Sequence, residues 1–219
     1  MNAERAAIDT ESPSAMGDSE REKSIREIVL VVLMSITAVL TAWSGFQASK
    51  WGGEMSIAFS EASSARVQAS NYEGTARDAR QFDLTIYSEW VVATQTGEDE
   101  FADYIESRFT PAFAVAFDAW MADGMQENAP FARPEYLPDG TAEAQQWTER
   151  ADQRFADALK NNQRGDNYSI LTVLFALVLF LAALAQRTRG RRPGQVLLTV
   201  AGLAAIAIVI VMATYPIKV

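Results

Sequence analysis

The chain has no cysteine and no histidine in its 219 residues, and these two absences exclude more chemistry than the residues present suggest. No disulfide can staple it. No Ser-His-Asp or Cys-His nucleophile, Cys/His zinc site, dithiol couple or His-ligated haem can form, and the neutral-pH titration of imidazole is absent. Positive charge is also scarce, with 19 Lys and Arg against 28 Asp and Glu, a formal net charge of −9. That balance speaks against a nucleic-acid-binding surface, which needs clustered basic side chains. The sequence also lacks a Gly-rich phosphate loop, an EF-hand spacing and any recognisable pair of catalytic carboxylates, so no enzyme activity, metal or cofactor is expected.

What is present is apolar sequence, 49% of the chain, and it is gathered rather than spread. Residues 28–46, 168–186 and 196–215 are three runs without an internal charge. Each is long enough, at about 1.5 Å per residue, to cross the roughly 30 Å of a bilayer's hydrocarbon core. Three such helices would be hard to bury in a soluble protein of this length, so the expected partner is membrane lipid.

Orientation follows from the basic residues. Arg21, Lys23 and Arg26 precede the first run, and Arg187, Arg189, Arg191 and Arg192 lie in the link 187–195 between the second and third. The positive-inside rule puts both in the cytoplasm, where the arginine link suits anionic lipid. Residues 47–167 and the end 216–219 then fall on the opposite side, and Trp43, Tyr168 and Tyr215 mark the outer interface. A cleavable signal peptide with Ala42 and Ser44 at the cleavage site is the competing reading of the first run. The long leader and the acidic residues Glu20, Glu22 and Glu27 speak against it. Residues 1–27, poor in large apolar side chains, read as a disordered cytoplasmic tail.

The outer region 47–167 carries about two acidic residues for each basic one and has a helical pattern. Phe82, Ile86 and Trp90 recur at helical spacing, as do Phe101, Ile105, Phe109, Phe113, Phe117 and Trp120, and then Trp147, Ala151, Phe155 and Leu159. Thr96 before Gly97-Glu98-Asp99 suits a helix start, and Thr110-Pro111 supplies a second cap with a first-turn proline. Gly124 ends the aromatic helix, Pro130, Pro134 and Pro138 punctuate an irregular segment, and a last outer helix begins near Thr141, able to run on into the second span. The expected fold is all-α, with three transmembrane helices and an extracytoplasmic helical bundle of four or five helices.

Four groups of residues stand out. Gly45, Ser49 and Gly53 form a small-residue row that serves either packing within the chain or self-association. Thr37, Thr41 and Ser44 share one face of the first span, and their hydroxyls either bond within the helix and to neighbours or line a pore between copies. Phe131, Arg133 and Tyr136 lie in the proline segment, which either covers the end of the bundle or offers a partner surface. Asp99, Glu100, Asp103 and Glu106, with Asp118 and Asp123, read as a solvated acidic face rather than a cation site.

The stretch Ala42-Trp43-Ser44-Gly45-Phe46-Gln47-Ala48-Ser49, the helix ending Ala116-Phe117-Asp118-Ala119-Trp120, and Pro134-Glu135-Tyr136 sit between one early and two closing spans. In that layout the chain resembles a family of bacterial inner-membrane proteins with a domain of unknown function, over most of residues 28–215. The resemblance implies architecture and a bacterial envelope, and no catalytic or binding residues. The expected role is a non-catalytic structural or accessory subunit of the inner membrane, a homo-oligomer or a member of a membrane complex. An oligomeric pore lined by the first span, and an extracytoplasmic sensor with a cytoplasmic partner, are the alternatives.

Overall fold

The computed structural model describes residues 13–188 and 190–218. They form five α-helices and one 3-10 turn: α1 (Pro13–Thr96), α2 (Asp99–Glu106), α3 (Pro111–Ala122), the turn Pro130–Ala132, α4 (Thr141–Arg187) and α5 (Arg191–Ala213). No strand occurs among the described residues. Three helices, α1, α4 and α5, are long and apolar enough to cross a membrane.

The helices differ from the expected segments in the tail and the arginine link, and join where the sequence allowed it. Residues 1–12 of the tail lie outside the described residues, but the rest of it, from Pro13, is helical and continuous with α1. Composition predicts disorder there because nothing apolar needs burying. Extending an existing helix, however, avoids the cost of nucleation, and Ala, Met, Glu, Lys and Arg are good helix formers. The last outer helix and the second span are one helix, α4. The arginine link shrinks to residues 188–190, because the helices wind through its flanks.

The chain divides into two compact units, one comprising residues up to Glu54 and from Lys160, the other Met55–Leu159. In the first unit, α1 turns Leu30, Leu33, Thr37, Leu40, Ser44, Gln47 and Trp51 inward. The inward face of α4 is Tyr168, Leu171, Phe175, Val178, Ala182 and Ala185, and α5 adds Ala201, Ala205 and Ile208. On α1 and α4 these steps alternate between three and four residues, the 3.5-residue repeat of helices that wind together with interlocking side chains. The outward residues are apolar as well: Val39 and Val173 are each 69% exposed, Leu203 64% and Phe180 59%. Apolar side chains outside, with the hydroxyls of Thr37 and Ser44 and the Gln47 carboxamide buried inside, is the reverse of a water-soluble helix trio and is the arrangement lipid favours.

In the second unit α1 and α4 run antiparallel, as the pairs Phe59–Phe155 and Glu61–Arg154 show. Between them lie buried alanines: Ala58, Ala62, Ala65 and Ala69 from α1, and Ala144, Ala151 and Ala158 from α4. Gly140 turns the chain into α4 at φ 91°, and a Cβ there would lie 2.7 Å from the Tyr72 carbonyl oxygen. Glycine is therefore required on both conformational and steric grounds.

The helix starts were only partly expected. Thr110 caps α3, its hydroxyl accepting from the Phe113 N–H at 3.3 Å with Pro111 in the first turn. Thr96 does not cap α2. It is the last residue of α1, and its hydroxyl donates back to the Val92 and Ala93 carbonyls. Gly97, at φ 77°, breaks α1 there, and the α2 N-cap is Glu98, with no side-chain cap bond. Phe101 departs from the inward aromatic row and is 46% exposed, because α2 buries Ala102 and Ile105 instead.

Candidate functional site

The second unit is built on an aromatic cluster. Phe113 is completely buried, with Tyr87, Phe109, Phe131 and Tyr136 rings 4.8–6.0 Å from its own, mostly edge to face. These side chains come from α1, the α2–α3 link, α3 and the proline segment, so one cluster ties α1 and the proline segment to α3.

A carboxylate lies buried beside it. Asp83, on α1, is 1% exposed. The Thr110 hydroxyl donates to its Oδ1 at 2.7 Å and the Tyr136 hydroxyl to its Oδ2 at 2.9 Å. Each oxygen thus has a donor, as a buried carboxylate requires. Burial, and then the hydrogen bond to Asp83 and its charge, raise the Tyr136 phenol well above its ordinary pKa of 10.0. Tyr87 is raised by burial alone.

The proline segment closes this end of the unit. Pro130 and Tyr136 are buried, and Phe131 packs in the aromatic cluster. Arg133 has a side chain only 15% exposed, ringed by Asp123 at 2.8 Å, Glu127 at 2.9 Å and Glu135 at 3.2 Å. The Glu135 carboxyl is held below its ordinary value by its own backbone N–H and then by Arg133. Arg133 is pushed up, first by Glu135 and then by Glu127. Tyr136 is buried and Phe131 and Arg133 are half-buried: the rings pack in the aromatic cluster beside α3, and the guanidinium makes four hydrogen bonds to carboxylates of its own chain. Leu137 is a large apolar side chain of this segment that stands out, at 64%.

In the first unit the hydroxyl face turns inward. Thr37 is 1% exposed and Ser44 is fully buried. Thr37 donates to the Leu33 carbonyl at 2.7 Å and Thr41 to the Thr37 carbonyl at 2.8 Å, while the Ser44 hydroxyl faces Met212 Sδ at 3.8 Å. Thr37 and Ser44 are thus enclosed by their own chain and Thr41 is half-buried, with their hydroxyls bonded within the helix or facing a neighbour. The small-residue row has the opposite fate. Gly45, Ser49 and Gly53 face outward, and no atom lies within 4 Å of where a Cβ would stand on either glycine. On the adjacent face of α1, Ala48 and Gly52 pack within the unit, against Gly165 of α4.

Gln47 is a polar residue that the sequence did not single out. It is fully buried, and its carboxamide pairs with the backbone of Lys218: Nε2 donates to the Lys218 carbonyl and Oε1 accepts from the Lys218 N–H, each at 2.9 Å. The Tyr168 hydroxyl donates to the Pro216 carbonyl at 3.2 Å. A glutamine amid apolar sequence was the available signal, since such a side chain in a membrane helix needs a partner.

Of the arginine group, Arg189 lies outside the described residues, Arg187 ends α4, and Arg191 and Arg192 begin α5. Asp99, Glu100, Asp103 and Glu106 all face outward. Among the described residues no group of three or more Asp or Glu side chains is placed to hold a metal. Compared with known proteins, the chain matches no protein-family model, no curated protein and no solved structure.

Proposed function

We propose that this chain is a non-catalytic, self-associating subunit of the bacterial inner membrane, with the N-terminus and the arginine link in the cytoplasm and the Met55–Leu159 unit in the periplasm. The observation that carries the reading is the outward row Gly45, Ser49 and Gly53, unoccupied by any other part of the chain. Small residues four apart let two helix backbones approach closely, here where α1 leaves the bilayer. The exposed aliphatic surface of the same unit supports the membrane, and the basic residues at Arg21, Arg26, Arg187 and Arg192 support the orientation.

Because the chain has no cysteine, single cysteines can be used without background. Oxidation of native membranes is expected to yield cross-linked dimers from Ser49→Cys and Gly53→Cys, and none from Ile36→Cys on another outward face. Monomers from all three, with a monomeric mass in detergent-free native mass spectrometry, would refute self-association.

Orientation has its own test. A membrane-impermeant maleimide applied outside the inner membrane is expected to label Gln95→Cys at once and Gly190→Cys only after permeabilisation. The reverse pattern would invert the topology.

A further inference from the structure

The last described residues are not a free end. Past α5, Tyr215 packs edge to face on Tyr168 with ring centres 5.7 Å apart, Pro216 accepts from the Tyr168 hydroxyl, and Lys218 is gripped through its backbone by Gln47. We propose that Pro216–Lys218, beyond the packed Tyr215, is a strap, latched by the Gln47 carboxamide, that opens and closes over the first unit while its three helices stay packed.

The latch reads backbone rather than side chain. A carboxamide that donates to one residue's carbonyl and accepts from the same residue's N–H makes the paired exchange of two facing strands. Glutamate in place of Gln47 keeps an acceptor but loses the donor, and leucine loses both.

The hold is local and polar, and for that reason reversible. Ile217 is 60% exposed, so little apolar area is buried with the strap. The Lys218–Glu54 ion pair, at 3.2 Å, joins side chains 39% and 36% exposed, and such pairs contribute little. The two bonds of a buried amide therefore dominate. Opening is not opposed by loss of a core, since Trp51, Tyr168, Leu171 and Phe175 pack with Ala201, Ala205 and Ile208 independently of residues 216–218. Trp51, one turn beyond Gln47, keeps its indole N–H buried with no partner among the described residues, so water admitted by opening would find a donor waiting.

The test is amide exchange of Lys218, followed through isotope-labelled lysine in the full chain held in lipid nanodiscs, with carboxypeptidase trimming as a second readout. In the unaltered protein the Lys218 amide is expected to exchange at least about tenfold more slowly than an unstructured amide. Gln47→Leu and Gln47→Glu are expected to remove that protection and speed trimming by about tenfold, with exchange in α4 and α5 unchanged. Glu54→Gln, which leaves the tail sequence intact, is expected to stay within about twofold of the parent. An unstructured exchange rate in the unaltered protein overturns the proposal without recourse to any variant. So does unchanged protection in both Gln47 variants, and so does deprotection of α5 together with the tail, which would make the segment part of the global fold.

Discussion

Phe113→Ala is expected to destabilise the Met55–Leu159 unit by about 3–5 kcal/mol, the range for removing a large side chain from a packed core. Phe113 has no exposed surface, and its ring meets aromatic rings from α1, the α2–α3 link and the proline segment. Truncation leaves a hole that rigid edge-to-face rings cannot collapse to fill, so the cavity adds to the lost transfer energy. Pulse proteolysis of the full chain in lipid across a urea series measures the loss, with Phe101→Ala, at a 46% exposed position, as the control expected to cost well under about 1 kcal/mol. Equal effects at the two positions would mean that the aromatic cluster is not the unit's core.

Asp83 gives the second large effect. Asp83→Ala strands the Thr110 and Tyr136 hydroxyls in a buried site, and also slackens the cap of α3, because the same threonine oxygen accepts from the Phe113 N–H. A loss of about 2–4 kcal/mol is expected, from two charge-assisted bonds offset by relief of a buried charge. Asp83→Asn keeps the shape and can still bond both hydroxyls once they rotate, so about 1 kcal/mol is expected there.

The same site fixes a pH response. The folded state holds the Tyr136 phenol above its unfolded value of 10.0, so it favours the neutral form. Its contribution is fully present below pH 10 and is lost as pH rises further. Alkaline titration of the unit should therefore show falling stability above that point, with a shallower fall in Tyr136→Phe. Tyr87, raised by burial, accounts for part of what remains.

The helical architecture is legible in the sequence because three uncharged apolar runs and a set of three- and four-residue aromatic spacings have few other solutions. The cap at Thr110 is legible too, since a hydroxyl before proline has a single common use. What escapes is which way a membrane helix faces. In water an apolar stripe marks the buried side, but between lipid and a helix neighbour both sides of α1 are apolar, and the inward side is marked by its polar residues. Thr37, Ser44 and Gln47 are that mark, and it is the same mark a pore would leave. Their partners in the structure, Met212 for Ser44 and the Lys218 backbone for Gln47, lie about 170 residues along the chain, beyond the reach of any local pattern. The partnership of Asp83 with Tyr136 is likewise invisible, since any acidic helix offers many carboxylates and nothing local says which one is covered.

The alanines between α1 and α4 change what evolution can do with this chain. Where a core is made of leucine and phenylalanine, substitution mostly errs by removing volume. At Ala58, Ala62, Ala65, Ala151 and Ala158, each 6% exposed or less, there is almost nothing to remove and no room to add. Drift at these sites runs against a wall in one direction only: serine or glycine can enter at modest cost, while any larger residue must force two helices apart along their length. The spine between α1 and α4 is thus a line of small residues at which enlargement, rather than truncation, is the costly change.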